Sequence, residues 1–336
     1  MRSNAANQLR DPERHPAHLE QVHAVDLAHG IVQRKCHRLA IRAIFFKGPT
    51  ASFQGLRKKS ISSDVDVLVH PSDGSTLYSA LLEDGWRSRP NDSNLPSLKH
   101  ATTLFHPEWP IDIDLHHFIP GIARSPEGAF EVLWEHRSSV ELAHWPITVP
   151  ARLDHAIILI LNALRSPWLQ RSQNEVQQLA RLLTDEDLSL MAERIERLGC
   201  SSSIAEFSRN HGRGIIPAET QPAPHAWSLY QHLDQPAVVW FDCIRRAPWK
   251  RKPALVLRAL FPSKEFLAER DVTLLEANAP ALLWARLDRV ARFARSAPAV
   301  IASYRSLQQE LQSGTLQSRS RRRSIDRSTC PNKTLR

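Results

Sequence analysis

Two short segments, Ser62–Val69 (SSDVDVLV) and Ile111–His116 (IDIDLH), alternate polar or acidic residues with aliphatic ones. Successive side chains of a β-strand point to opposite faces, so each segment is expected to form a strand with one apolar and one acidic face. The apolar faces carry Val65, Val67, Val69, Ile111, Ile113 and Leu115. The acidic faces carry Asp64, Asp66, Asp112, Asp114 and His116. If the two strands are neighbours, three or four carboxylates converge on one patch.

Such an acidic patch contributes little to stability, because like charges at close range repel and Asp is disfavoured in strands. Mg²⁺ prefers carboxylate oxygens and completes its shell with substrate phosphates, and Mn²⁺ accepts similar ligands. For either segment alone, a half-exposed strand with its polar side in water is an equal alternative. Four aspartates on matching faces favour a metal site, with His116 as a ligand or hydrogen-bond partner. A Zn²⁺ hydrolase is disfavoured, because no H-E-x-x-H spacing occurs.

Length and composition are those of an ordinary globular protein. The 336 residues are 42% hydrophobic and 24% charged, enough for one large domain or two ordinary ones. Glycine is scarce at 11 residues, against 23 prolines, and neither G-x-G-x-x-G nor G-x-x-x-x-G-K-[ST] occurs. Dinucleotide-binding and P-loop folds are therefore disfavoured.

The net charge of +9 is concentrated at the C-terminus. Seven basic residues and one acid lie between Ser313 and Arg336, a net +6, which leaves +3 for the other 312 residues. Nucleic-acid binding is therefore expected, if at all, as weak electrostatic attraction to this tail.

Cysteine usage and hydropathy predict a cytoplasmic protein that does not enter membranes. The four cysteines form no C-x-x-C pair, which disfavours a disulfide framework. The first 21 residues contain no apolar signal-peptide core. The longest apolar run, Ala156–Leu161, is too short to span a bilayer.

The order of the predicted elements indicates an α+β fold in four parts. Residues 1–18 and the basic tail 313–336 are predicted to be disordered. Helices and strands alternate through 19–125, which indicates a mixed α/β domain. Helical spacing dominates 126–312, which we expect to be an all-helical C-terminal domain.

A buried strand over residues 40–46 ends at Lys47-Gly48, and the acidic strands follow further along the chain. The pattern Lys47-Gly48, Arg57, Asp64-Val65-Asp66-Val67-Leu68-Val69 and Asp114-Leu115-His116 resembles the nucleotidyltransferase superfamily of the DNA polymerase β type. It is most similar to a branch of largely uncharacterised bacterial nucleotidyltransferase-like proteins. The resemblance covers about residues 40–120 and continues more loosely to about Arg165.

The resemblance implies a polymerase β-like core that performs Mg²⁺-dependent, two-metal transfer of a nucleoside monophosphate from an NTP to an acceptor hydroxyl. It implies that Asp64 and Asp66 bind the metal, and that Asp114 is the third carboxylate and a general base. Asp112 remains an alternative metal ligand. The triphosphate would meet a nucleotide-binding set made of Lys47, Gly48, Arg57 and Ser63. The acceptor, whether small molecule, peptide, protein or RNA, stays open.

Two features differ from the superfamily pattern. Gly48 is followed by Pro49, which has no backbone N–H to donate, and 15 residues separate Gly48 from Asp64. These features support an alternative function, a catalytically inactive binding or regulatory protein that keeps the fold.

Overall fold

The computed structural model describes residues 19–89, 98–217, 223–234, 236–261, 264 and 278–313. Helices and strands alternate at first: α1 (Gln21–Arg38), β1 (Ala43–Phe46), α2 (Gly48–Phe53), β2 (Asp64–Val69), α3 (Gly74–Glu83), β3 (Arg87–Ser88), β4 (Ala101–Phe105) and β5 (Asp112–His116). Helix α4 (Pro126–Glu135) and a hairpin of β6 (Ser138–Leu142) and β7 (Trp145–Val149) come next. The remaining elements are α5 (Arg152–Leu164), α6 (Gln170–Leu182), α7 (Asp185–Leu198), α8 (Ser201–His211), α9 (His225–Tyr230), α10 (Pro236–Arg246), a 3₁₀ turn (Trp249–Arg251), α11 (Lys252–Leu260) and α12 (Ala279–Ser313).

Five strands form a mixed sheet in the order β1-β2-β5-β4-β3. The two acidic segments are β2 and β5, and they are parallel neighbours at the centre of the sheet. The other pairings, β1 with β2, β4 with β5 and β3 with β4, are antiparallel. The predicted α+β fold, with its mixed sheet and helical C-terminal part, is confirmed.

Each face of the sheet belongs to a separate hydrophobic core, which the period of two in the strands explains. Phe45, Val65 and Val67 pack with α1 and with the β6–β7 hairpin. The alternate residues Phe46 and Leu68 pack into a core formed largely by the helices from α4 to α8. The acidic residues of β2 share this second face, so the helical part covers the carboxylates.

The hairpin corrects the expectation that the chain after residue 126 is all-helical. Residues 138–149 form two antiparallel strands that pack on α1, with β7 also next to β1. Their turn is made by Ala143 and His144, which both have positive φ angles of 50° and 59°. Tight hairpin turns of this kind usually contain Asn or Gly. Neither residue type occurs at positions 143 and 144, so the sequence does not indicate the turn.

Helix α5 is the centre of the second core, and ten of its 13 residues are buried. Helix α7 begins with a capping box in which Thr184 and Asp187 bond each other's backbone N–H groups. No helix in the described part of the chain has both the length and the apolar character needed to cross a membrane. Residues 1–18 and the tail 313–336, both predicted to be disordered, lie outside the described residues except for Ser313, the last residue of α12. The proposed domain boundaries remain predictions.

Candidate active site

Asp66 and Asp114 lie side by side at the centre of the sheet. The parallel register of β2 and β5 places Asp64 beside Asp112, Asp66 beside Asp114, and Leu68 beside His116. One potential ligand atom from each of Asp66, Asp114 and His116 lies within 4.8 Å of the others. The alternation in the sequence therefore leads directly to a compact set of oxygen and nitrogen donors.

Among the aspartates of β2 and β5, Asp66 is the most enclosed, at 5% exposure. Its Oδ1 accepts hydrogen bonds from Lys47 Nζ at 2.6 Å and from His116 Nε2 at 2.7 Å. Burial alone would raise the pKa of Asp66, but the Lys47 ammonium and the His116 hydrogen bond outweigh it and hold the pKa well below its ordinary value. Asp66 therefore stays ionised in the closed site.

The pKa values of Asp114 and Asp64 are raised, in contrast to that of Asp66. Burial raises the pKa of Asp114 to about 6, although Thr103 Oγ1 donates to its Oδ1 at 2.6 Å. Burial, together with the charge of Asp66, also raises the pKa of Asp64, whose Oδ1 accepts from Ser62 Oγ at 3.1 Å. The site thus holds one firmly ionised carboxylate and two that take up protons more readily, a pattern typical of functional sites.

Two residues of the predicted site are bound elsewhere. Both oxygens of Asp112 accept from Arg89, with N–O distances of 2.8 Å. Arg57 is paired with Glu175 of α6, its Nε lying 2.7 Å from the carboxylate. The structure therefore does not bring Asp112 into the donor cluster, and it holds Arg57 against the helical part. Ser63 is exposed, and only its carbonyl has a partner among the described residues, the Asp112 N–H at 3.1 Å.

The turn from β1 to α2 carries Lys47 in a strained backbone conformation. Lys47 has φ 62° and ψ −155°, a region that is essentially restricted to glycine, and Gly48 follows with φ 41°. A side chain on Gly48 would bring a Cβ to 3.3 Å from Ser62 Oγ. Strain of about 1–3 kcal/mol is typical of functional turns that are held by their surroundings. In this conformation the Lys47 ammonium reaches Asp66.

His155 holds this turn and was missed in the sequence. Its Nε2 accepts the backbone N–H of Lys47 at 2.8 Å, and its Nδ1 donates to Gln54 Oε1 at 2.7 Å. Gln54 in turn donates to the carbonyl of Pro150 at 2.8 Å. Burial lowers the pKa of His155 to about 3, so the ring is neutral and can accept. The sequence feature that could have identified His155 is its position beside the aliphatic run of α5, where a polar residue is unusual.

A match to a family model covers residues 16–209, more than half of the chain. The family is described as uncharacterised nucleotidyltransferases. The chain belongs to this nucleotidyltransferase family. The match includes the entire sheet, the hairpin and helices α1 to α7, so every residue of the site lies inside the family region. No curated protein matches the chain.

Several solved structures are similar to parts of this family member. The antibiotic-resistance factor ANT(2'')-Ia is 12% identical, with a TM-score of 0.38, and the similarity covers 58% of this chain and 100% of that one. The lincosamide antibiotic adenylyltransferase LnuA, bound to lincomycin, is 12% identical with a TM-score of 0.32, over 46% and 94% of the two chains. A tRNA nucleotidyltransferase complexed with a primer tRNA and an ATP analogue is 14% identical with a TM-score of 0.25, over 88% and 99%.

The donor set fits a divalent cation. Asp66 and Asp114 offer carboxylate oxygens that a hard ion such as Mg²⁺ prefers, and the nearby His116 nitrogen is tolerated by softer ions such as Mn²⁺. The buried Asp66 carries a full negative charge whose present counter-ion is the Lys47 ammonium. A cation that binds Asp66 would therefore compete with the Lys47 ammonium for the same carboxylate.

Proposed function

We propose that this protein is a Mg²⁺-dependent nucleotidyltransferase that transfers a nucleoside monophosphate from an NTP to an acceptor hydroxyl and releases pyrophosphate. The observation that carries the proposal is the pairing of Asp66 with Asp114 on adjacent parallel strands, inside the region that matches the family. Mn²⁺ is the expected substitute for Mg²⁺. A bound divalent cation supplies Lewis-acid polarisation of the phosphoryl oxygens.

The charge of each side chain suggests its role in the proposed reaction. Asp66 and Asp114 would hold the cation, with Asp64 next to them on β2. Asp114, with a pKa of about 6, changes protonation close to neutral pH, which suits a group that accepts the proton of the acceptor hydroxyl. Lys47, released from Asp66, would meet the triphosphate at the turn that contains Gly48. Ser63, Arg57 and Asp112 remain weaker candidates, since the last two are held in ion pairs.

The test is to incubate the protein with α-labelled NTPs, Mg²⁺ and a cell extract as the source of acceptor. We expect a labelled product that is lost in Asp66→Asn and Asp114→Asn. Asp84→Asn is the matched control, because the same substitution removes a carboxylate charge that pairs with Lys35 and lies outside the donor cluster. Equal Mg²⁺ and NTP binding by the wild type and both site variants would contradict the metal assignment.

The second candidate function is a catalytically inactive binding protein with the same fold. It is favoured by the closed Lys47–Asp66 pair, whose side chains are only 15% and 6% exposed. It is also favoured by Pro49, which offers no N–H to a phosphate. An inactive protein would bind NTP without releasing pyrophosphate from it, whichever acceptor the extract supplies, whereas an active one releases pyrophosphate from the NTP in step with the labelled product.

We place the reaction in the cytoplasm, where NTPs are plentiful. The buried Cys36 and Cys200 support this assignment, because both remain thiols and burial raises the pKa of each to about 12. Such thiols are inert and suit a reducing compartment.

A further inference from the structure

A narrow cleft lies next to the carboxylates, between the sheet and helix α5. Its walls include Phe46 and Lys47 from the end of β1, His116 from β5, and Asn162 and Arg165 from the end of α5. Apolar residues complete the lining, among them Ile119. The cleft is therefore a mostly apolar space into which a few polar groups converge, the usual composition of a ligand site.

Arg165 is a largely buried cation whose described partners are all neutral. Its guanidinium donates to His100 Nε2 at 2.8 Å and to Asn162 Oδ1 at 3.3 Å, and it lies over the Tyr230 ring at 5.9 Å. Burial lowers its pKa, while the charges of Asp66 and Asp114 act on it from a distance and raise it. Those two carboxylates already accept hydrogen bonds from Lys47 and Thr103.

Other cations around the site have a carboxylate in direct contact. Lys47 is paired with Asp66, and four arginines pair in the same way: Arg42 with Glu131, Arg57 with Glu175, Arg89 with Asp112, and Arg152 with Asp187. A buried charge without a counter-ion is costly, and proteins normally neutralise it. Arg165 therefore has the environment of a residue whose counter-ion arrives with a ligand.

His116 provides a second, independent sign of a ligand. It is 3% exposed, and its Nδ1 has no hydrogen-bond partner. Because Nε2 donates to the ionised Asp66, Nδ1 carries a lone pair that needs a donor. The cleft thus contains an unsatisfied acceptor on His116 as well as the unsatisfied cation of Arg165.

We propose that this cleft binds the acceptor, and that the acceptor carries an anionic group, a phosphate or a carboxylate, which pairs with Arg165. A hydroxyl or amine of the same molecule would donate to His116 Nδ1. A guanidinium binds either anion with two parallel hydrogen bonds, which is why arginine suits this role. The proposal rests on the proposed function, because it names the class of acceptor for that same site.

The end of the cleft at His116 lies away from the expected nucleotide site, whereas Lys47, which also lines the cleft, lies next to Gly48. Gly48 and Ser62 are close together at the Asp64 end of β2. His116 lies one step beyond Asp114 in the opposite direction, about 6.6 Å further along the strand. A triphosphate bound at Gly48 and an anion bound at Arg165 would therefore lie on opposite sides of the Asp66–Asp114 pair, as donor and acceptor of one transfer require.

The test uses inorganic phosphate and acetate as probes of the full-length protein. Wild-type protein should bind phosphate or acetate saturably in the millimolar range, and at ten times the dissociation constant its Tm should rise by roughly 3 °C. Arg165→Gln should weaken that binding at least tenfold, and Arg165→Lys should weaken it less. Arg152→Gln, whose guanidinium is paired with Asp187, is the matched control and should bind the probes as the wild type does.

The Tm measured without any added anion shows whether Arg165 serves to bind an anion or to stabilise the fold. Arg165→Gln should then be as stable as the wild type or more so, because it removes a buried charge that lacks a counter-ion. A loss of Tm that is equal with and without phosphate would overturn the proposal, and so would phosphate binding that Arg165→Gln leaves intact. Absence of saturable binding of both probes to the wild type would overturn it as well.

A competition experiment distinguishes an acceptor site from a nucleotide site. Saturating NTP with Mg²⁺ should leave phosphate binding at Arg165 in place, whereas displacement of phosphate by NTP would assign the cleft to the nucleotide and refute the acceptor role. These binding results do not depend on turnover. If no transfer occurs with any extract while Arg165-dependent phosphate binding persists, only the proposed function fails.

Discussion

Replacement of Lys47 by methionine tests the idea that its ammonium occupies the place of a cation. The Lys47 Nζ lies 2.6 Å from Asp66 Oδ1, and both side chains are largely buried. Methionine keeps most of the length and apolar surface of lysine but removes the charge. The variant leaves Asp66 buried without its counter-ion, with His116 as its only remaining hydrogen-bond donor among the described residues.

The magnitude follows from the distance. Two unit charges at this separation attract by about 6 kcal/mol at an effective dielectric constant of about 20. Part of this attraction offsets the cost of desolvating both groups, so we expect a net loss of about 3–5 kcal/mol of unfolding free energy in metal-free protein. A divalent cation at Asp66 restores the missing charge. If about 3 kcal/mol is recovered on binding, the variant should bind Mg²⁺ or Mn²⁺ about 100-fold more tightly than the wild type.

The assay is urea denaturation with EDTA and with MgCl₂ or MnCl₂, together with calorimetric titration of each cation. Lys35→Met is the matched control, because Lys35 forms a similar pair with Asp84, at 2.7 Å, but in a more exposed position. The control should lose about 1 kcal/mol or less, and added cation should not change this loss. The reasoning is refuted if Lys47→Met loses the same stability with EDTA and with cation, or if it binds cations no more tightly than the wild type.

Further predictions concern the rest of the site. The pKa of Asp114 is about 6, above its ordinary value, so its stabilising contribution is full below about pH 4 and is lost as the pH rises to about 6. In urea titrations the metal-free wild type should therefore lose stability relative to Asp114→Asn across that range, and Mn²⁺ binding should weaken as the pH falls below 6. His155→Leu should cost about 1–3 kcal/mol in the same assay, because a buried backbone N–H loses its acceptor, and NTP affinity should fall with it; unchanged affinity would show that His155 does not position the turn. Gly48→Ala should cost more than Gly55→Ala, by urea denaturation, since both have positive φ but only Gly48 would press a Cβ against Ser62.

Features that depend on local periodicity could be predicted from the sequence. The alternation in Asp64–Val69 and Asp112–His116 identified both strands, their buried faces and the convergence of their acids. The same reasoning could not choose between Asp112 and Asp114, because both lie on the acidic face. In the structure Arg89 binds both oxygens of Asp112, and a pattern within one strand cannot reveal such a contact with another part of the chain.

Features that depend on distant partners could not be predicted. Arg57 matches the family pattern, yet its guanidinium is bound to Glu175, 118 residues further along the chain. The Lys47 turn is held by His155, 108 residues away, which accepts a hydrogen bond from the backbone N–H of Lys47. A backbone N–H carries no information about the side chain, so this contact leaves no mark in the sequence around Lys47. The β6–β7 hairpin escaped detection for a local reason, because Ala143 and His144 adopt a turn conformation that their side chains do not signal.

Helix α5 connects these distant effects. It carries His155 near its beginning and ends next to Arg165, and ten residues of helix span about 15 Å. Its first turn holds the strained Lys47 turn through a neutral histidine, and its last turn places Arg165 in the cleft beside His116. One buried helix therefore fixes the cation that meets the proposed nucleotide and the cation that meets the proposed acceptor. Because α5 shares a buried core with Phe46 and Leu68, its packing on the sheet holds both ends of the proposed site.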